Sequence, residues 1–174
     1  MFRAKMGIFA QMCLVFIFSC ALQILILHNG HDWGGDFSQY IAQAIAIVSD
    51  SIKEQIANNT FMMSHCDSLF GPYVYPWGFP LLLAPLYAMF GLSFYALKMV
   101  GVISFGLFVA GFYCFCASRL KRSACIIATL FFMLNPLLVG FANNILSDIP
   151  YLCASFFAIL CLERLLATSA GGGV

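Results

Sequence analysis

Residues 7 to 27 read GIFAQMCLVFIFSCALQILIL, an apolar run without a charge. A helix of that length covers the hydrocarbon core of a bilayer, roughly 30 Å thick, and satisfies its backbone polar groups internally. Arg3 and Lys5 precede it, as basic residues precede the core of a signal peptide. The run is long for a signal peptide, however, and no small-x-small cleavage site ends it. It reads as an uncleaved first span. Three stretches repeat the pattern: residues 95–117 with Lys98 near one end, residues 123–142, and residues 149–167 with Glu163 and Arg164 near the end.

Composition supports this class. Of 174 residues, 63% are hydrophobic and 9% charged, too few charges to cover a water-facing globule. A net charge of +1 without a basic stripe excludes a nucleic-acid partner. Seven of the eight cysteines lie inside apolar runs, where Cys acts as a small hydrophobe, and Cys66 has no obvious partner. The expected fold is an all-α integral membrane protein, a single domain over residues 1–174 with about four transmembrane helices.

The segment 76–91, PWGFPLLLAPLYAMFG, is apolar but short for a span, and Pro76, Pro80 and Pro85 interrupt its hydrogen-bond ladder. It reads as an interfacial or re-entrant helix. Charge placement agrees: with four spans and a non-crossing 76–91, Arg3, Lys5, Arg119, Lys121, Arg122 and Arg164 all fall on the cytoplasmic side. The outer loop, residues 28–94, and the link 143–148 then face the extracytoplasmic side. That loop carries Asp32, Asp36, Asp50, Glu54, Asp67 and all three histidines.

Within the loop, Phe37, Tyr40, Ile41, Ala44, Ile45, Val48, Ile52 and Ile56 recur on one helical face. Gln39, Gln43, Asp50, Lys53 and Glu54 fall mainly on the other. An amphipathic helix lying on the membrane surface is expected there. Asp36-Phe37-Ser38-Gln39 fits a capping box, and the helix dipole favours a negative charge at that end. Asp148, in Ser147-Asp148-Ile149-Pro150, opens the fourth span in a similar way. His28, His31, Asp32 and Asp36 would suit a divalent metal, but their spacing matches no helical zinc motif, so no metal ligand is assigned and no cofactor is demanded. The aromatic, Pro-rich run 71–80 suits a lipid headgroup or a sugar.

The order of these pieces resembles the N-terminal part of GT-C type glycosyltransferases, of the dolichyl-phosphate-mannose protein mannosyltransferase and aminoarabinose transferase kind. The resemblance rests on Gly34-Gly35-Asp36-Phe37-Ser38-Gln39-Tyr40 after the first span, on Tyr75-Pro76-Trp77-Gly78-Phe79-Pro80 running to Tyr87 and Phe90-Gly91, and on Asn143 to Pro150 opening a later span. It implies transfer of a sugar from a polyprenyl-phosphate carrier to an acceptor on the extracytoplasmic face of a cell or inner membrane. It implies Asp36 as general base, with Tyr40, Tyr75, Pro76 and Asp148 lining the substrate site and Lys98 approaching the lipid phosphate. The partners implied are the lipid-linked donor and membrane lipid, with no acceptor named. The chain departs from the family in carrying Phe37 where many relatives have a second acid, and Val74-Tyr75 where a basic residue often stands. Members are also longer, so the chain reads as the front of such an enzyme. The competing expectation is non-enzymatic, a small multi-span transporter subunit or assembly factor. A transport path should place ionisable groups within the spans, and here they lie near span ends.

Overall fold

The computed structural model describes residues 2–31, 36–64 and 75–171, with side chains at 7–31, 36–60 and 75–168. Cys66, Asp32, Asp67 and residues 71–74 of the aromatic run 71–80 therefore lie outside the described residues. Among those described, all regular structure is helical: α1 (Phe2–Ile26), α2 (Asp36–Val48), α3 (Ile52–Ser64), α4 (Gly78–Phe90), α5 (Phe94–Ala117), α6 (Arg122–Met133), α7 (Pro136–Ala142) and α8 (Asp148–Gly171). Three helices, α1, α5 and α8, are long and apolar enough to cross a membrane, and α6 with α7 makes a fourth if the bent pair counts as one span.

The third expected span is thus not one straight helix. It breaks between Met133 and Pro136 with a bend of 52°. The cause is local: the Asn135 side chain accepts from the backbone N–H groups of Leu137 and Leu138 at 3.0 and 3.2 Å, and Pro136 sits at the first helical position. An Asn cap followed by proline starts a new helix rather than continuing the old one.

The single outer helix expected over residues 37–56 is likewise two, separated at Ser49-Asp50-Ser51. Asp50 takes a positive φ of 54°, and the Ser51 N–H reaches back to the Ala46 carbonyl at 2.9 Å. That six-to-one bond over a left-handed residue is a Schellman stop, with Asp in the place glycine usually takes. Gln39 does not reach back as the capping box requires. Its carbonyl accepts from Asn59 Nδ2 at 2.9 Å instead, which clasps α3 against α2.

Helix α4 is a continuous thirteen-residue helix, about 20 Å long and shorter than the bilayer core. Pro80 is harmless in its first turn, and Pro85 is accommodated inside it. Two apolar clusters organise the molecule. Tyr40, Ile41, Ala44, Phe79, Leu83, Leu97, Ile145 and Leu146 bind α2, α4 and the start of α5 to the link before α8. Phe105, Phe108, Val109, Met133, Ala142, Ile149 and Cys153 hold α5 to α6, α7 and α8.

Helix α5 is the shared neighbour of α1, α4, α6, α7 and α8. Small residues let it approach several partners closely, as membrane helices require when lipid is as apolar as leucine. At Gly101 an added Cβ would stand 2.8 Å from the Ala142 carbonyl oxygen, a backbone atom that cannot swing aside. Gly140 has open space at the same test. Gly101→Ala is therefore expected to destabilise the detergent-solubilised protein by ~1–3 kcal/mol, read as a lower unfolding midpoint. Gly140→Ala should be neutral or mildly stabilising, since alanine is the better helix former.

Candidate functional site

The residues at positions 36, 40 and 43 share one face of α2, being spaced at i, i+4 and i+7. Tyr75 lies along that face. Its backbone N–H donates to Gln43 Oε1 at 3.1 Å, and its carbonyl accepts from Gln43 Nε2 at 2.8 Å. Its ring stands 5.3 Å from that of Tyr40, and its phenol lies within electrostatic reach of the Asp36 carboxylate. The Asp36 carboxylate, first as an acceptor for the phenol and also by its charge, pushes the Tyr75 phenol up to about 12. Tyr75 therefore stays a neutral phenol across the physiological range.

Tyr40 connects this pair to the distant end of the chain. Its hydroxyl shares a 2.9 Å hydrogen bond with Ser147 Oγ, across 107 residues of sequence, and its ring meets Phe79 edge-on at 5.1 Å. The Ser147 carbonyl accepts the Tyr151 N–H at 2.8 Å, so Ser147 is the entry residue of α8. Asp148 follows it and is exposed, as is Pro76 beside Tyr75. Four of the six expected site residues, Asp36, Tyr40, Tyr75 and Pro76, thus meet in one place, and Asp148 stands one residue from Tyr40's partner. The arrangement sets a carboxylate near a tyrosine phenol, with Tyr40 packed against that ring and tied to Ser147 at the entry of α8.

Lys98 is elsewhere employed. It is fully buried, and its ammonium donates to the carbonyls of His28 and Gly30 at 2.7 and 2.6 Å and to Asn143 Oδ1 at 3.4 Å. Asn143 Nδ2 in turn donates to the Ile26 carbonyl at 2.8 Å. The three N–H groups of an ammonium are all engaged there. This accounts for the residue as the clasp at the end of α1, without a ligand.

His31 packs between aromatic rings, stacked on Phe94 at 5.1 Å and edge-on to Phe37 at 5.7 Å. Among the described residues no group of three or more His, Cys, Asp or Glu side chains could hold a metal.

Sequence reasoning missed Gln43, placing it on the solvent-facing side. It is completely buried, and its amide pairs with both polar groups of one backbone residue. Only its spacing of seven from Asp36 pointed to it. Gln43→Leu should remove both bonds and leave Tyr75's backbone groups unpaired, at a cost of about 1–3 kcal/mol, read from the unfolding midpoint.

The phenol provides a second check. In Asp36→Asn, Tyr75 is expected to ionise nearer pH 10, as a free tyrosine does, read at 295 nm as the difference from the same protein carrying Tyr75→Phe. The sign is that of a raised group. Whatever stability protonated Tyr75 contributes is full below its unfolded value near 10 and fades as pH climbs through about 12. Comparison of the chain with protein-family models, with curated proteins and with solved structures finds no match in any of the three.

Proposed function

We propose that this chain belongs to a membrane glycosyltransferase of the GT-C type, which moves a sugar from a polyprenyl-phosphate carrier to an acceptor hydroxyl outside the membrane. The observation that carries the reading is the Asp36–Tyr75 pair on α2, set against Tyr40 and the Ser147–Asp148 entry to α8. A carboxylate beside a neutral phenol keeps lone pairs free to accept a proton. In the proposed step Asp36 takes the proton of the acceptor hydroxyl as that oxygen attacks the anomeric carbon. The bond from that carbon to the phosphate oxygen breaks, and the polyprenyl phosphate leaves with the electron pair. Tyr75 presents an aromatic face to the sugar, the buried Tyr40 backs that ring, and Pro76 stiffens the approach.

The proposed topology has four spans, α1, α5, α6 with α7, and α8, while α2, α3 and α4 lie at the outer surface. Support comes from the way chemistry separates along α5. Lys98 at its start neighbours the α1 exit, whereas Arg119 beyond its end pairs with Glu163 of α8 at 2.5 Å. Arg119 and the Asp36 site thus stand at opposite ends of the bundle, as the positive-inside rule asks, while Lys98 at the Asp36 end is taken up by carbonyls. The apolar line Val48, Ile52 and Ile56 is exposed along α2 and α3, which suits contact with lipid headgroups.

The transporter reading is the weaker one. It needs ionisable groups along a path through the spans, and Lys98 is spent on carbonyls. Gln23, buried in α1 with neither amide atom hydrogen-bonded among the described residues, is neutral.

The test uses membranes containing the chain, with labelled dolichyl-phosphate-mannose and undecaprenyl-phosphate-aminoarabinose as donors. Transfer of label to membrane or surface acceptors is expected and should fall about 10²–10⁴-fold in Asp36→Asn, the usual worth of a general base. Transfer retained in that variant at full membrane insertion would remove Asp36 from the mechanism.

A further inference from the structure

Helices α1 and α8 both pack on α5 but share no substantial contact with each other. Between them, at the Arg119 end of the bundle, is a crevice of about 440 Å³. Its apolar walls include Ile8 and Met12 of α1 and Phe157 and Leu160 of α8, and side-chain-free Gly111 lies at its floor. A second groove of about 290 Å³ shares Met12, Gly111 and Phe157 with it and continues to Phe16 and Leu107. Together they make one slot running along α5 from Ser118 to Leu107. Eleven residues of helix are about 17 Å, close to one leaflet of a core roughly 30 Å thick.

The mouth of the slot is charged. Arg119 is fixed there by Glu163 at 2.5 Å and by the Phe115 ring, whose centroid is 3.9 Å from the guanidinium carbon. Arg164 also lines the mouth, is exposed, and makes no ion pair among the described residues. Two guanidinium groups against one carboxylate leave an excess positive charge. An apolar slot one leaflet deep with a net cationic mouth has the shape and polarity of a phospholipid with a negative headgroup.

We infer that the α1–α5–α8 slot binds an anionic phospholipid, with an acyl chain between Met12 and Phe157 and the phosphate at Arg164. This site stands apart from the Asp36 centre and does not depend on the proposed transferase activity. Lys121 and Arg122, at the start of α6, do not line the slot and supply the control for general surface charge.

The experiment is native mass spectrometry of the whole chain released from nanodiscs of equal phosphatidylglycerol and phosphatidylcholine. Retention of phosphatidylglycerol over phosphatidylcholine is expected. Arg164→Gln should reduce that preference about fivefold, the order of one interfacial cation. Cys161→Trp, which fills the slot from an exposed position on α8, should reduce it while leaving every charge in place. The variant Lys121→Gln with Arg122→Gln should leave it unchanged. Both the Arg164 and Cys161 sites are exposed, and circular dichroism of each variant confirms that the helices remain. No preference in the wild type, or a preference indifferent to both Arg164→Gln and Cys161→Trp, overturns the proposal. Equal loss in the Lys121–Arg122 variant overturns it in favour of unspecific surface attraction. A tight dimer that releases no lipid overturns it in favour of a second copy in the slot.

Discussion

An ammonium taken out of water must find acceptors within the protein or give up its charge. Lys98 finds three, and none is a carboxylate: two loop carbonyls just past α1 and the amide oxygen of Asn143. These loop carbonyls stand just beyond the negative pole of α1, which adds to their own dipoles in favouring a cation without a formal counter-charge. The same Asn143 donates to the last residue of α1. Four pieces of chain are joined at this point: the exit of α1, the first turns of α5, the end of α7 and the link into α8. The outer segment that carries Asp36 departs from the same knot.

Below that knot, α1 is stitched to α5 by a weak Cys20 Sγ bond to the Val102 carbonyl at 3.7 Å and, near the opposite end, by Tyr113 donating to Gln11 at 2.6 Å. Polar ties of this kind count in an apolar setting because lipid supplies no competing partner. The remaining cohesion is close packing. Phe108 touches Phe112, Phe132 and Phe156 at ring separations of 5.4 to 6.1 Å, an aromatic stack binding α5 to α6 and α8. With water excluded from both alternatives, shape matters more than hydrophobicity, and the glycines of α5 supply the shape.

The three long helices were legible in the sequence because uniform apolar runs have one reading. Their observed bounds, Phe2–Ile26, Phe94–Ala117 and Asp148–Gly171, extend the expected ones by a few residues or less at most ends. Breaks were harder. Asn135-Pro136 and Ser49-Asp50-Ser51 carry ordinary stop and start signals, yet each sits inside a periodic run whose hydrophobicity barely changes across it. Asp36, Tyr40 and Tyr75 were grouped through the order of motifs in the resembled family, and the fold brings Tyr40 and Tyr75 together on one side of α2. Gln43 and the employment of Lys98 were not legible. Their partners are main-chain groups, present at every residue, and only the folded path brings a given carbonyl within reach.

The alignment of Tyr75 with α2 has a mechanical consequence. Backbone and ring of one residue engage Gln43 and Tyr40 while its phenol faces Asp36, so three successive rungs of a helix meet it like pins meeting a key. A helix advances 100° per residue, so a roll of α2 by a single position would disengage all three pins together. The direction in which the carboxylate points is therefore governed by the roll angle of α2, and any torque on that helix is transmitted directly to the acid.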